Sequence, residues 1–191
     1  MDDGRIATPF EGRPAADWDD AAAVPAPLPL HETQVRPEWV DYNDHMSESC
    51  YLLVFGDNSD AFFRFFGVDE KYRATGYSLY TAETHLHNLG QAAVRDPVRL
   101  TLHLLDTDSK RLHIFHEMRH GDTGMLLATA EQLLLHVNTT AGRVAPLPEH
   151  LQHRLERIRI AHTSLPRPPA VGHVMGIPRS NGGDHGFRAQ L

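Results

Sequence analysis

The chain of 191 residues contains a single cysteine, Cys50. One thiol cannot form an internal disulfide, so the fold has to rest on packing, and the cysteine usage fits a reducing compartment. Dense basic runs are also missing: 18 Lys and Arg face 25 Asp and Glu, for a formal net charge of −7. That disfavours nucleic acid as a partner, because such binding needs concentrated positive surface. No apolar run approaches the roughly 20 residues that span a bilayer. The opening Met1-Asp2-Asp3-Gly4 has neither the basic nor the apolar region of a secretory signal. A cytoplasmic protein with no membrane partner is expected.

What remains is a globular composition, 41% hydrophobic and 23% charged, long enough to bury one substantial core. Residues 1–30 are rich in Ala, Pro, Asp and Gly and read as a flexible leader, or as an arm laid over a partner. Residues 31–163 form the domain with its C-terminal helix. Residues 164–191, with Pro166, Pro168, Pro169 and then Asn181-Gly182-Gly183, read as a mostly irregular tail.

Within the domain, His31 to Arg36 reads as a short strand stopped by Pro37. Ser47 is a good N-cap with Glu48 in the first turn, and the pattern from Tyr51 to Phe66 is too apolar for a surface helix. Gly67 is a suitable stop, and a short element covers Asp69 to Ala74. Strands follow over Ser78–Leu89, Asp96–Leu105, Lys110–Arg119 and Met125–Asn138. Val98, Leu100, Leu102 and Leu104 alternate on one face, as do Leu112, Ile114, His116 and Met118. Asp106–Ser109 and Gly121–Gly124 are turns. A last helix starts near Pro148, with Leu151, Leu155 and Ile158 on one stripe. A buried helix followed by antiparallel strands predicts an α+β fold in which a curved antiparallel sheet wraps a long central helix, the hotdog architecture. Its open edges favour pairing into a homodimer, or a dimer of dimers.

The chemistry concentrates just before that helix, where Asp41, Asn43 and His45 stand at alternate positions. A helix start offers unpaired N–H groups and about half a positive charge, which polarise a carbonyl. A neighbouring carboxylate serves as general base or nucleophile. The set suits hydrolysis of an acyl compound, with Asp41 as base or nucleophile, Asn43 holding water or substrate, and His45 orienting Asp41 or shuttling a proton. The competing structural reading is a turn and capping cluster. Glu83 and His85 share a face of their strand. Glu83 reads either as a pocket carboxylate that neutralises a cationic acyl group or as an ordinary solvent-facing residue. His85, His87, His113, His116 and His120 invite a metal, yet no cysteine or tight carboxylate cluster accompanies them, and neither metal nor cofactor is expected.

Asp41-x-Asn43-x-His45, with Tyr51 six residues beyond the His, resembles the catalytic segment of hotdog acyl thioesterases. The spacing is that of plant acyl-ACP thioesterases, and Asp41 relative to Tyr51 also fits 4-hydroxybenzoyl-CoA thioesterase-like enzymes. In those families a helix-start N–H faces the thioester carbonyl, and the matching position here is Glu48. A wider resemblance, to the betainyl-CoA thioesterases of carnitine degradation, rests on Val35–Met46, Val54-Phe55-Gly56-Asp57, Thr81–His85, Lys110–His116, Ala130–Val137 and Leu165–Pro168. The same module also occurs fused behind carnitine 3-dehydrogenases. The resemblance implies an acyl-CoA substrate, most closely betainyl-CoA, cleaved to glycine betaine and CoA. A quaternary ammonium group binds aromatic faces; Trp39 and Tyr42 suit such a cage, with Tyr51 either in it or in the core. Arg95, Arg99, Lys110 and Arg111 are candidates for the CoA phosphates. Two alternatives stay open: a thioesterase acting on another acyl-CoA or acyl-ACP, and a non-catalytic acyl-CoA-binding module.

Overall fold

The computed structural model describes residues 7–13 and 17–177. Strand β1 (Leu28–Gln34) leads through a 3-10 turn at Pro37–Trp39 to the central helix α1 (Glu48–Phe66) and the short helix α2 (Glu70–Arg73). Strands β2 (Tyr77–Asn88), β3 (Pro97–Thr107), β4 (Arg111–His120) and β5 (Leu126–Asn138) follow, then β6 (Arg143–Val144) and helix α3 (Glu149–His162). The sheet is antiparallel throughout, in the order β1-β3-β4-β5-β2, with β6 beside β5. Register shifts at Pro29/His31, Thr81/Glu83 and Leu104/Asp106 insert extra residues, and such bulges bend strands. The curled sheet packs on α1, with β4 meeting it through His116, while α3 covers β3. This is the α+β arrangement that the element order predicts.

Strand alternation decides which side chains meet α1. Val98, Leu100, Leu102 and Leu104 of β3, and Leu112, Ile114, His116 and Met118 of β4, are all buried on the helix side. Phe55, Phe62 and Phe66 answer from α1, fully enclosed; each such side chain contributes about 1.5–3 kcal/mol of burial free energy. Gly67 closes α1 at φ 110°, its N–H bonding to Arg64 O while the Val68 N–H returns to Phe63 O.

The observed boundaries differ from the pattern by a few residues. β1 begins at Leu28, because Leu28 already pairs with Leu102 and joins the core. β3 runs on to Thr107, through the start of the expected turn, because the bulge lengthens it. Pro148 stands at the N-cap of α3 rather than inside it. The described residues of the segment read as a leader lie along their own chain. Thr8 Oγ1 donates to Asp60 at 2.6 Å, Arg13 O accepts from Arg64 at 2.7 Å, and Trp18 packs edge-on against Phe65 under Arg154 and Arg157. His162 fastens this segment to the sheet: its Nδ1 accepts the Leu104 N–H at 2.9 Å and its Nε2 donates to Pro25 O at 3.1 Å. The expectations for residues 1–6, 14–16 and 178–191 lie outside the described residues.

So much of α1 is covered that polar residues are buried with it, namely Asp57, Asn58, Ser59, Asp60 and Arg64. Most are paired. Asn58 donates to His116 Nδ1 at 2.8 Å, and the Gln132 Oε1 atom accepts from Ser59 Oγ at 3.0 Å and faces His116 Nε2 at 3.2 Å. That geometry requires a neutral His116 carrying its proton on Nε2. Burial pushes its pKa down to about 4. Asp57 is different: its carboxylate has no hydrogen bond among the described residues. Burial pushes its carboxyl up to about 6, with Arg36 opposing and Asp60 adding to the rise.

These two groups tilt stability in opposite directions with pH. His116 is protonated more readily unfolded than folded, so its contribution is complete above pH 6.5 and fades towards pH 4. The neutral variant His116→Gln therefore loses about 2 kcal/mol less than the wild type between pH 7 and pH 5, measured by denaturant unfolding. Asp57 binds its proton more tightly folded, so its penalty grows as pH rises from 3.8 and levels off above about 6. Asp57→Asn consequently raises stability at pH 7 by up to about 3 kcal/mol and changes nothing near pH 3.

Candidate active site

Residues 40–46 form a tight turn whose ends bridge at Val40 and Met46. The Asp41 N–H donates to His45 O at 2.9 Å and the Asp44 N–H to Asp41 O at 3.1 Å. Asp44 takes φ 62°, a left-handed conformation that a short polar side chain tolerates. Asp41 Oδ1 accepts the Asn43 N–H at 2.8 Å, and its Oδ2 has no hydrogen bond among the described residues. The carboxylate is thus held in place by one oxygen and presents the other. Asn43 and His45 are joined to Asp41 through their backbones, not through their side chains.

The loop after β2 fixes this turn against the start of α1. Met46 N–H donates to Ala92 O at 2.8 Å, Ser47 N–H to Trp39 O at 2.8 Å, and His45 bridges Ala93. Tyr51 Oη reaches across to Gly90 O at 3.1 Å. Ser47 is the N-cap residue, as its type suggests, but its hydroxyl meets Ser49 Oγ at 3.3 Å and caps nothing. Among the described residues the first-turn N–H groups at Glu48 and Ser49 have no acceptor, beside the exposed Glu48 side chain.

The proposed cage residues are divided. Tyr42 stands 94% exposed at the turn. Trp39 is buried, with the Arg36 guanidinium 4.8 Å above its ring, and Tyr51 is buried in the same apolar cluster. Of the phosphate candidates, Arg99 is engaged with Glu32 and Gly121 O, and Arg111 with Asp108.

Glu83 and His85 are not brought to Asp41 within one chain. Leu86 packs against the apolar cluster that contains Tyr51 and Phe55, so its neighbours on β2 point to the opposite face of the sheet. There Glu83, His85, His113, Glu131, Gly172 and His173 line a cavity of about 570 Å³. Glu131 faces His113 Nε2 at 2.7 Å and accepts the Gly172 N–H at 2.8 Å. Burial acts to raise its carboxyl; the Gly172 N–H and His113 outweigh that and hold it below the usual carboxylate range. The sequence pattern gives no sign of Glu131 or His173 here, because strand register and the path of the tail place them. His116 was visible in the β4 alternation, as a core residue.

The thioesterase-like superfamily model matches residues 35–155. A betainyl-CoA thioesterase of Pseudomonas aeruginosa is 43% identical over 152 residues, covering 79% of this chain and 96% of that protein. An L-carnitine dehydrogenase/betainyl-CoA thioesterase of Rhizobium sp is 40% identical over 184 residues, 93% of this chain; the chain spans 36% of that relative's length. A Staphylococcus aureus protein solved in complex with CoA superposes with a TM-score of 0.75 at 28% identity, covering 82% of this chain and 100% of the other. With a long central helix held in a curled antiparallel sheet, and with these matches, the chain belongs to the thioesterase-like superfamily and has the hotdog fold.

Proposed function

We propose that this chain hydrolyses the thioester of betainyl-CoA, releasing glycine betaine and CoA. The observation that carries the reading is the similarity to the Pseudomonas aeruginosa betainyl-CoA thioesterase along nearly all of that protein's length. The uncapped start of α1 beside a half-exposed carboxylate is the chemistry such a reaction needs. In the proposed mechanism the N–H groups at Glu48 and Ser49 polarise the thioester carbonyl. Asp41 Oδ2 takes a proton from the attacking water, or attacks the carbonyl itself and is released by water. In the first route the C–S bond breaks as the tetrahedral intermediate collapses. In the second it breaks as the acyl-Asp41 anhydride forms, before water hydrolyses that anhydride. In both, the CoA thiolate takes up a proton to leave as the thiol. Asn43 and His45 hold the turn, and with it the aim of Asp41. The exposed ring of Tyr42 is the available aromatic face for the trimethylammonium group.

The pairing proposed for the molecule is a homodimer, or a dimer of dimers, and the cell compartment the cytoplasm. Support for pairing comes from β2, a 12-residue strand at the edge of the sheet, its outer side paired with no other strand among the described residues. Among the described residues no helix is long and apolar enough to cross a membrane.

Thiol release from betainyl-CoA, measured beside acetyl-CoA and a medium-chain acyl-CoA, tests the reading. Betainyl-CoA is expected to turn over fastest, and Asp41→Asn to lower kcat/KM by about 100-fold or more with the fold intact. Equal release from the neutral substrates would keep the hydrolase and discard the cationic acyl group. Binding of all three without thiol release would instead mark an acyl-CoA-binding module. Tyr42→Ala should raise KM for betainyl-CoA a few-fold and leave acetyl-CoA unchanged, as the loss of one exposed cation–aromatic contact predicts.

A further inference from the structure

The outer face of the sheet carries a second constellation, on the side of β2 opposite Leu86. His85 and His87 are two apart on β2 and therefore share that face. Their Nε2 atoms lie 3.1 Å apart, with the rings perpendicular and 4.4 Å between centroids. A third imidazole arrives from the C-terminal segment. There Val171 N–H donates to Pro168 O and His173 N–H to Ala170 O, while Gly172, at φ 75°, ties its N–H to Glu131 Oε2. This fold of the tail sets the His173 ring 4.9 Å from that of His87 and 5.8 Å from that of His85.

One ligand nitrogen from each of the three lies within 4.8 Å of the others, and no other such trio of metal-ligating residues occurs among the described residues. Zinc–nitrogen bonds of 2.0–2.1 Å in a tetrahedron put ligand nitrogens about 3.3 Å apart. The His85–His87 pair already has that spacing. Turning the exposed His173 about its side-chain bonds brings in the third ligand. Imidazoles without other ligands select Zn²⁺ and its transition-metal neighbours over Mg²⁺ or Ca²⁺, which take oxygen. Glu131 stands directly across from His85 in the β2–β5 register and, through the Gly172 N–H, holds the tail beside it. The fourth position would face the cavity of about 570 Å³, which His85 and His173 both line.

We propose that His85, His87 and His173 form a three-imidazole site for one first-row divalent transition-metal ion, which clamps the C-terminal segment onto the outer face of β2. The ion joins residues far apart in the chain, so the site is a staple for the tail with an open coordination position towards the cavity. It is separate from the hydrolytic chemistry proposed for Asp41.

The test uses the full chain, stripped with chelator and titrated with Co²⁺, whose visible absorption reports coordination, followed by displacement with Zn²⁺. One ion per chain is expected, with the strong visible bands of a tetrahedral or five-coordinate site. His173→Ala and His87→Ala should each weaken binding at least tenfold and abolish those bands, while His150→Ala, an exposed histidine on α3, should change neither. His173 sits in the exposed tail, so its replacement leaves the fold intact; circular dichroism checks this for both variants. Absence of uptake, or uptake equally strong in His173→Ala and His150→Ala, would overturn the site.

Discussion

The structure depends on enclosing α1 on almost every side. A single helix offers only a stripe to one layer, but this one is wrapped by a curled sheet, capped by α3 and flanked by the described residues 7–13 and 17–27. Enclosure this complete takes polar side chains into the core with the apolar ones, and each must find a partner in a medium of low dielectric. Asn58 and Ser59 meet His116 and Gln132 from the sheet; Asp60 meets Arg64, Arg73 and Thr8. Arg64 in turn pairs with Glu70 of α2. The chain before β1 is drawn in by this requirement as much as by apolar contact.

The same enclosure defines the candidate site. Because the body of α1 is buried, its N-terminal end is the part that meets solvent, and the turn at residues 40–46 delivers Asp41 there. The loop after β2 locks that turn through Met46, His45 and Tyr51. The capping reading and the catalytic reading of Asp41 are therefore compatible: one carboxylate oxygen holds the turn and the other is presented outward. Preorganisation of this kind is what hydrolysis at a polarised carbonyl requires.

Much of the fold was legible because its signals are local. Alternation in β3 and β4, the apolar density of α1, and Gly67 after Phe66 each follow from the backbone period or from a single residue's conformational preference. The start of β1 at Leu28 was not legible, since Leu28 is a strand residue only through Leu102 of β3. The extension of β3 to Thr107 depended on a bulge, and no local pattern places the Arg36 guanidinium over the ring of Trp39. The sequence left open whether Glu83 lines a pocket or faces solvent; strand alternation puts it, with His85, on the outer face of the sheet, where both line a cavity.

By itself, then, the sequence determined the kind and order of the elements and the local turn that carries Asp41, because helix period, strand alternation and turn chemistry act over a few residues. Only the tertiary structure decided which distant side chains share a space. His85, Glu131 and His173 become neighbours through sheet register and the path of the tail, and His116 meets Asn58 because α1 lies against β4. Those juxtapositions are set by the packing of whole elements, and no short-range pattern encodes them.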